Sequence, residues 1–291
     1  MTAIDMGHGN GTRAVVSAAD PPLPRSPIGP PDGRVAAGND FDHDAKAARR
    51  LGRITGCLYL IIAVLGMFAG SVSTGLLVPG DPAATTDNVL ASVAVVRGSL
   101  AAWIVVVLAD VTVAITLYVL LEPAGATLSA LAAAFRVAYA AILGINLVNL
   151  TNALLLLTEP AYAAGVEQAQ VQALALLSLE GFGTGFKLGL IFFGAHLMVL
   201  GYLLSTSRYL PRSVGVLVVA AGIGYLADSL GSLFAPGYGG LARALPMVPA
   251  VVGELALTFW LVIKGVSAPK AAVASSPIHG ARLGIRAGGV R

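Results

Sequence analysis

The chain has 291 residues, 56% of them hydrophobic and only 11% charged, with a mean hydropathy of +0.82. Soluble domains carry charge on about a quarter of their residues, so a soluble globular enzyme or binding module is excluded. The net charge of +3 and pI of about 9.1 come from Lys and Arg gathered at the ends of apolar stretches, which marks membrane topology and not nucleic-acid binding.

Residues 1–48 read as a disordered Pro/Gly-rich cytoplasmic tail. The run ADPPLPRSPIGPPDGR, Ala19 to Arg34, has no apolar periodicity and cannot bury enough surface to offset its ordering entropy. Its start lacks the basic and apolar regions of a cleaved signal peptide. Residues 49–266 form the membrane domain, and residues 267–291 a basic cytoplasmic tail. Lys46, Arg49, Arg50 and Arg53 precede the first crossing, Ile54 to Leu77, and hold the N-terminus inside. Gly66 and Gly70 stand at GxxxG spacing, which suits close approach of a second helix or a second protein.

The loop after Leu77 holds a short helix beginning at Pro82, with Asp81 as its N-cap. Crossing two runs from Leu100 to Leu121, with Trp103 near its outer end, and Glu122-Pro123 stops it. Crossing three lies within Thr127 to Leu157, a pattern longer than the hydrocarbon layer requires. Val166 to Leu179 begins polar and reads as an interfacial or partly inserted helix. Crossing four follows through Lys187 to Leu204, and Gly181, Gly185 and Gly189 place two GxxxG steps on one stripe. Crossing five spans Ser213 to Phe234 and crossing six Pro246 to Val266. Lys264, Lys270, Arg282, Arg286 and Arg291 hold the C-terminus inside, whereas the outer loops offer only Arg97 and Arg243. The expected fold class is all-α: a polytopic membrane bundle of six transmembrane helices with both termini cytoplasmic.

Blocks in a fixed order carry a family resemblance: LGRITGCLYLIIAVLG, VPGD, VVRGS, LAD with LYVLLEP, LIFFGAHLMVLGYLLSTSRYLPRSVGVL, GYLADS and GELALTFWLVIKG. Together they resemble a bacterial multi-pass family catalogued as domain of unknown function, family 4386, from about Arg50 to Gly265. The resemblance implies a six-helix integral membrane protein in a bacterial cell membrane. It brings no substrate, cofactor or catalytic residue.

Ionisable side chains in hydrocarbon cost a few kcal/mol each and face the bundle interior or a wet cavity. Asp110, Arg136, Lys187, His196, Asp228 and Glu254 are therefore the candidate buried polar or binding residues. Their depths pair Asp110 with Arg136, and Lys187 with one or both of Asp228 and Glu254. The bland reading of structural ion pairs and snorkelling side chains stands beside the functional one of a polar cavity or proton path. Lys187 and His196 lie nine residues apart, on opposite sides of one helix. Asn146, Asn149 and Asn152 read as interhelical hydrogen-bonding residues of crossing three. Asp110 to Arg136 and Asp228 to Glu254 share one separation, and each acid closes Leu-Ala-Asp. The two halves otherwise align poorly, which favours coincidence over an inverted repeat.

His196 is the one histidine within a crossing, which leaves a two-histidine haem site short of a ligand and gives a zinc hydrolase a poor start. The lone Cys57 allows neither an intrachain disulfide nor a cysteine metal site. GFGTGF follows no strand, so helix packing explains its glycines better than a dinucleotide does. No metal and no cofactor are expected, and the balance leans away from an enzyme. The leading expectation is a small-solute or proton-linked transporter, or a permeation accessory, with a buried polar site. An intramembrane enzyme acting on a lipid or isoprenoid, with Glu254 or Asp228 as acid or base and His196 carrying a proton, is the first alternative. A structural or regulatory subunit that recruits partners or a second copy through GxxxG faces is the other. The lipid bilayer is the one partner that composition requires.

Overall fold

The computed structural model describes residues 33–207 and 209–266, with side chains from residue 45 onward. Residues 1–32 and the C-terminal tail, 267–291, lie outside the described residues. Eight helices follow one another with no strand among them: α1 (Gly33–Gly75), α2 (Pro82–Ala91), α3 (Val93–Leu121), α4 (Ala126–Thr158), α5 (Pro160–Ala163), α6 (Gln168–Thr206), α7 (Arg212–Phe234) and α8 (Gly240–Lys264). Of these, α1, α3, α4, α6, α7 and α8 are long and apolar enough to cross a membrane. The chain is thus an all-α, multi-pass membrane protein.

Four boundaries differ from the sequence reading, one of them the start of α8, which lies at Gly240 and takes in part of the expected loop before Pro246. Helix α1 begins at Gly33, so it takes in residues 33–48 that composition assigns to the tail. Helix α3 begins at Val93, a turn and more before the expected Leu100, because nothing between Val93 and Ser99 breaks a helix. The last concerns α6: its polar start, Gln168 to Gln172, continues without a break into the apolar run. What the sequence suggests as an interfacial or partly inserted helix ahead of crossing four is the first part of one rod about 58 Å long, well beyond the hydrocarbon thickness.

Neighbouring helices close a ring. Helix α1 packs on α3, α3 on α4, α4 on α6, α6 on α7, α7 on α8, and α8 returns to α1. Glycine makes the tightest of these approaches possible. A Cβ at Gly201 would come within 2.6 Å of the Val219 nitrogen, and one at Gly215 within 2.6 Å of the Ser205 nitrogen, so α6 and α7 meet backbone to backbone. Gly253 serves α8 in the same way against the Leu217 carbonyl of α7. Small residues take this role in membranes because lipid tails are as apolar as leucine and attraction between helices depends on close contact. Outside the ring, Ile145, Leu108 and Phe234 stay 74%, 63% and 75% exposed, which a bilayer solvates and water would not.

The ends of the helices are tied down locally. Asp81 caps α2 as expected, accepting from the Ala84 nitrogen at 2.9 Å. Asn88 of α2 donates to the Leu76 carbonyl at the end of α1, at 3.2 Å. Pro246 lies inside α8 and supplies no N–H to the Ala242 carbonyl four residues earlier. The Tyr238 hydroxyl donates to that carbonyl instead, at 2.9 Å.

Candidate functional site

A cavity of about 1090 Å³ lies inside the ring, and all six long helices contribute to its wall. Helix α1 supplies Tyr59, α3 Trp103 and Asp110, α4 Tyr139, α6 Phe182, Phe186 and Lys187, α7 Tyr225 and Asp228, and α8 Glu254. Four of the six expected ionisable residues, Asp110, Lys187, Asp228 and Glu254, therefore line one space, and Arg136 stands behind the wall, bonded to Asp110. His196 does not line it, as its position on the opposite side of α6 from Lys187 requires.

The polar groups fall into three clusters. In the first, fully buried Arg136 donates from Nη2 to Asp110 Oδ1 at 2.6 Å and from Nη1 to the Tyr59 hydroxyl at 2.6 Å. Its guanidinium also stacks between the rings of Tyr59 and Phe193, 4.5 and 5.3 Å from their centroids. His196 completes this cluster. Its Nδ1 lies 2.8 Å from the Ala132 carbonyl, which can only accept, so Nδ1 carries the proton and Nε2 accepts from Arg136 Nη1 at 3.2 Å. Both ring nitrogens are therefore committed, and neither meets a carboxylate. The expected role of His196 as proton carrier to Glu254 or Asp228 has no contact to support it; its contacts are to Arg136 and the Ala132 carbonyl.

The second cluster joins α6 to α7. Lys187 donates to Asp228 Oδ2 at 2.5 Å, and Arg243 approaches Asp228 Oδ1 at 3.7 Å. Of the two acidic partners proposed for Lys187, only Asp228 takes it. Glu254 forms the third cluster, accepting a hydrogen bond from the Tyr225 hydroxyl. The equal spacing of Asp110–Arg136 and Asp228–Glu254 has no structural counterpart, since the first two residues pair and the second two do not.

The asparagines divide. Asn146 donates to the Phe182 carbonyl of α6 at 2.8 Å, Asn149 donates to Asn146 Oδ1 at 2.9 Å, and Asn152 is exposed. Gly181, Gly185 and Gly189 face Asn149, Asn146 and Tyr139, so this stripe packs α6 against α4. Gly66 and Gly70 differ: an added Cβ would meet nothing within 4 Å, and both line the cavity. No helix among the described residues uses that GxxxG face.

The aromatic lining escaped the sequence reading. Trp103 is buried, with Phe182 and Phe186 at 5.8 and 5.4 Å between ring centroids. Besides Asp228 Oδ1, which Arg243 approaches at 3.7 Å, two polar atoms of the wall residues are left over: Asp110 Oδ2 and Trp103 Nε1 are buried with no hydrogen-bond partner. Buried polar groups are nearly always satisfied, so these two are where an occupant would find an acceptor and a donor.

Comparisons with known proteins agree with the architecture. An "Uncharacterized protein" of Archaeoglobus fulgidus is 34% identical over 160 residues, covering 55% of this chain and 79% of that protein. No solved structure matches the chain. Residues 54–265, which hold all three polar clusters and nearly the whole six-helix ring, match the family described as "Domain of unknown function (DUF4386)", and the chain belongs to that family.

Proposed function

We propose that this chain binds a small amphipathic solute in its central cavity and moves it, or protons coupled to it, across the bacterial cytoplasmic membrane. One observation carries the reading: Glu254 stands in a cavity wall built by all six long helices and is held by a tyrosine hydroxyl instead of a salt bridge. A carboxyl inside a bundle that is not neutralised by a fixed cation is free to exchange a proton or to meet a charged solute. Arg136 with Asp110, and Lys187 with Asp228, form the rigid frame around it. The basic cluster at the start of the α1 membrane span and Lys264 at the end of α8 support placing both termini in the cytoplasm.

The test is flux into vesicles containing the purified protein, followed with an enclosed pH-sensitive dye and with labelled organic solutes. Glu254→Gln and Asp110→Asn should each alter flux while the protein still inserts, and unchanged flux in both variants overturns the reading.

A lipid-acting enzyme is the second reading, and the splaying of α1 from α8 described below favours it. With His196 committed to Arg136 and Ala132, acid–base work in such an enzyme falls to Glu254 with Tyr225. Hydrolysis or transfer on a membrane lipid that Glu254→Gln abolishes, with no flux in the parent protein, selects it.

A further inference from the structure

The cavity wall is not sealed on the lipid side. Helices α1 and α8 touch closely in the first half of the α1 span, Ala45–Gly75, where Gly56 meets the backbone of Leu261 and Val262, and Gly52 meets Val266 just past α8. Farther along they separate. Gly66 and Gly70 of α1 have no neighbour within 4 Å of an added Cβ, yet both line the cavity. Met67 of α1 and Val251 of α8 also line it, and they are 72% and 52% exposed on the outside of the bundle. A residue that belongs both to the cavity wall and to the outer surface marks an opening, and this one faces hydrocarbon.

Inside, the unspent charged groups have one sign. Each cation in or beside the wall already has an acidic partner: Arg136 has Asp110, and Lys187 and Arg243 share Asp228. The unspent acceptors are carboxylate oxygens, Asp110 Oδ2 and the Glu254 carboxyl outside its tyrosine bond. Around them stand the rings of Trp103, Phe182, Phe186 and Tyr225, whose π faces attract cations. Resting on the proposal that the cavity holds a solute, we infer that its ligand is a lipophilic amine or organic cation, admitted from the bilayer through the gap between α1 and α8. The apolar body of such a ligand suits both the route through lipid and the aromatic wall, and its positive charge suits the carboxylates.

Two probes of the same size and shape and opposite charge separate charge from bulk: tetraphenylphosphonium and tetraphenylborate. Binding to the full chain in nanodiscs of uncharged lipid is measured by equilibrium dialysis against empty discs. Tetraphenylphosphonium should bind and tetraphenylborate should not, and Glu254→Gln should weaken the cation by about tenfold, the loss of one charge contact. Gly66→Trp, at a position open enough to take the ring, should block the gap and abolish binding while the thermal unfolding midpoint stays at the parent value. Equal or tighter binding of tetraphenylborate, or tetraphenylphosphonium affinity unchanged in both variants, overturns the inference and leaves the solute cavity standing. Binding of neither probe to the parent protein overturns it too, whereas the flux experiment on Glu254→Gln and Asp110→Asn judges the cavity reading separately.

Discussion

Arg136 of α4 and Asp110 of α3 meet at 2.6 Å with both side chains sealed inside the bundle, and neither has another partner of opposite charge. Breaking such a pair from one side leaves a buried charge uncompensated, which typically costs 3–5 kcal/mol, whereas replacing both partners by apolar groups of similar volume costs far less. Asp110→Leu and Arg136→Met should each lower thermal stability in detergent strongly, and the double variant should recover much of the loss. Additive losses in the double-mutant cycle, read from unfolding midpoints, would show that the pair does not hold α3 to α4.

Lys187 and Asp228 form a weaker version of the same device. The Lys187 side chain keeps 16% of its surface exposed, and Arg243 stands by as a second, more distant cation at 3.7 Å. Lys187→Met should therefore cost less than Arg136→Met, by about 1–2 kcal/mol. Removing Arg243 as well should enlarge the effect, because Asp228 then has no cation at all. Unfolding midpoints of the two single variants and the double variant check the order.

Much of this arrangement is legible in the sequence, and the limits have physical causes. A charge cannot remain alone in hydrocarbon, so depth along the helices is enough to bring Asp110 to Arg136 and Lys187 to Asp228. Depth does not distinguish Asp228 from Glu254, because a tyrosine hydroxyl satisfies a carboxyl as well as a lysine does, and Tyr225 carries no charge to announce it. Trp103 was invisible for a similar reason: an indole near a helix end reads as an interfacial anchor, and only the fold turns it inward onto Phe182 and Phe186. The unbroken α6 was hidden by the glutamines at its start, since a polar turn looks like an interface until the helix is seen to continue. Periodicity also marked Gly66 and Gly70 as equals of Gly185 and Gly189, yet one pair borders empty space and the other is filled by Asn146 and Tyr139.

Charge asymmetry bears on how the ring sits in the membrane. The start of the membrane span of α1, Ala45–Gly75, carries Lys46, Arg49, Arg50 and Arg53, α7 begins at Arg212 and α8 ends at Lys264, all on one end of an antiparallel ring. Reporter fusions after residue 291 and before residue 1 should both be active in the cytoplasm, and a reporter placed at Gly165 should be active outside. Replacing Arg49, Arg50 and Arg53 by glutamine should produce a mixed population, because these residues dominate retention of the first crossing.

The glycines give the sharpest contrast. At Gly201 a Cβ would stand 2.6 Å from the Val219 nitrogen and 2.7 Å from the Gly215 carbonyl, and backbone on both sides cannot yield as a flexible side chain would. Gly201→Val should force α6 from α7 and with it part the cavity wall that Lys187 and Asp228 hold together. At Gly66 and Gly70 the added methyl meets nothing within 4 Å, and the helix gains the order that glycine lacks, about 0.5–1 kcal/mol per site. Gly66→Ala and Gly70→Ala should thus be neutral or stabilising in the isolated chain, while Gly201→Val should sharply reduce the folded yield. If Gly66→Ala instead lowers the unfolding midpoint, the α1 face is covered in the detergent-solubilised protein, and size-exclusion chromatography with light scattering will show a second copy upon it.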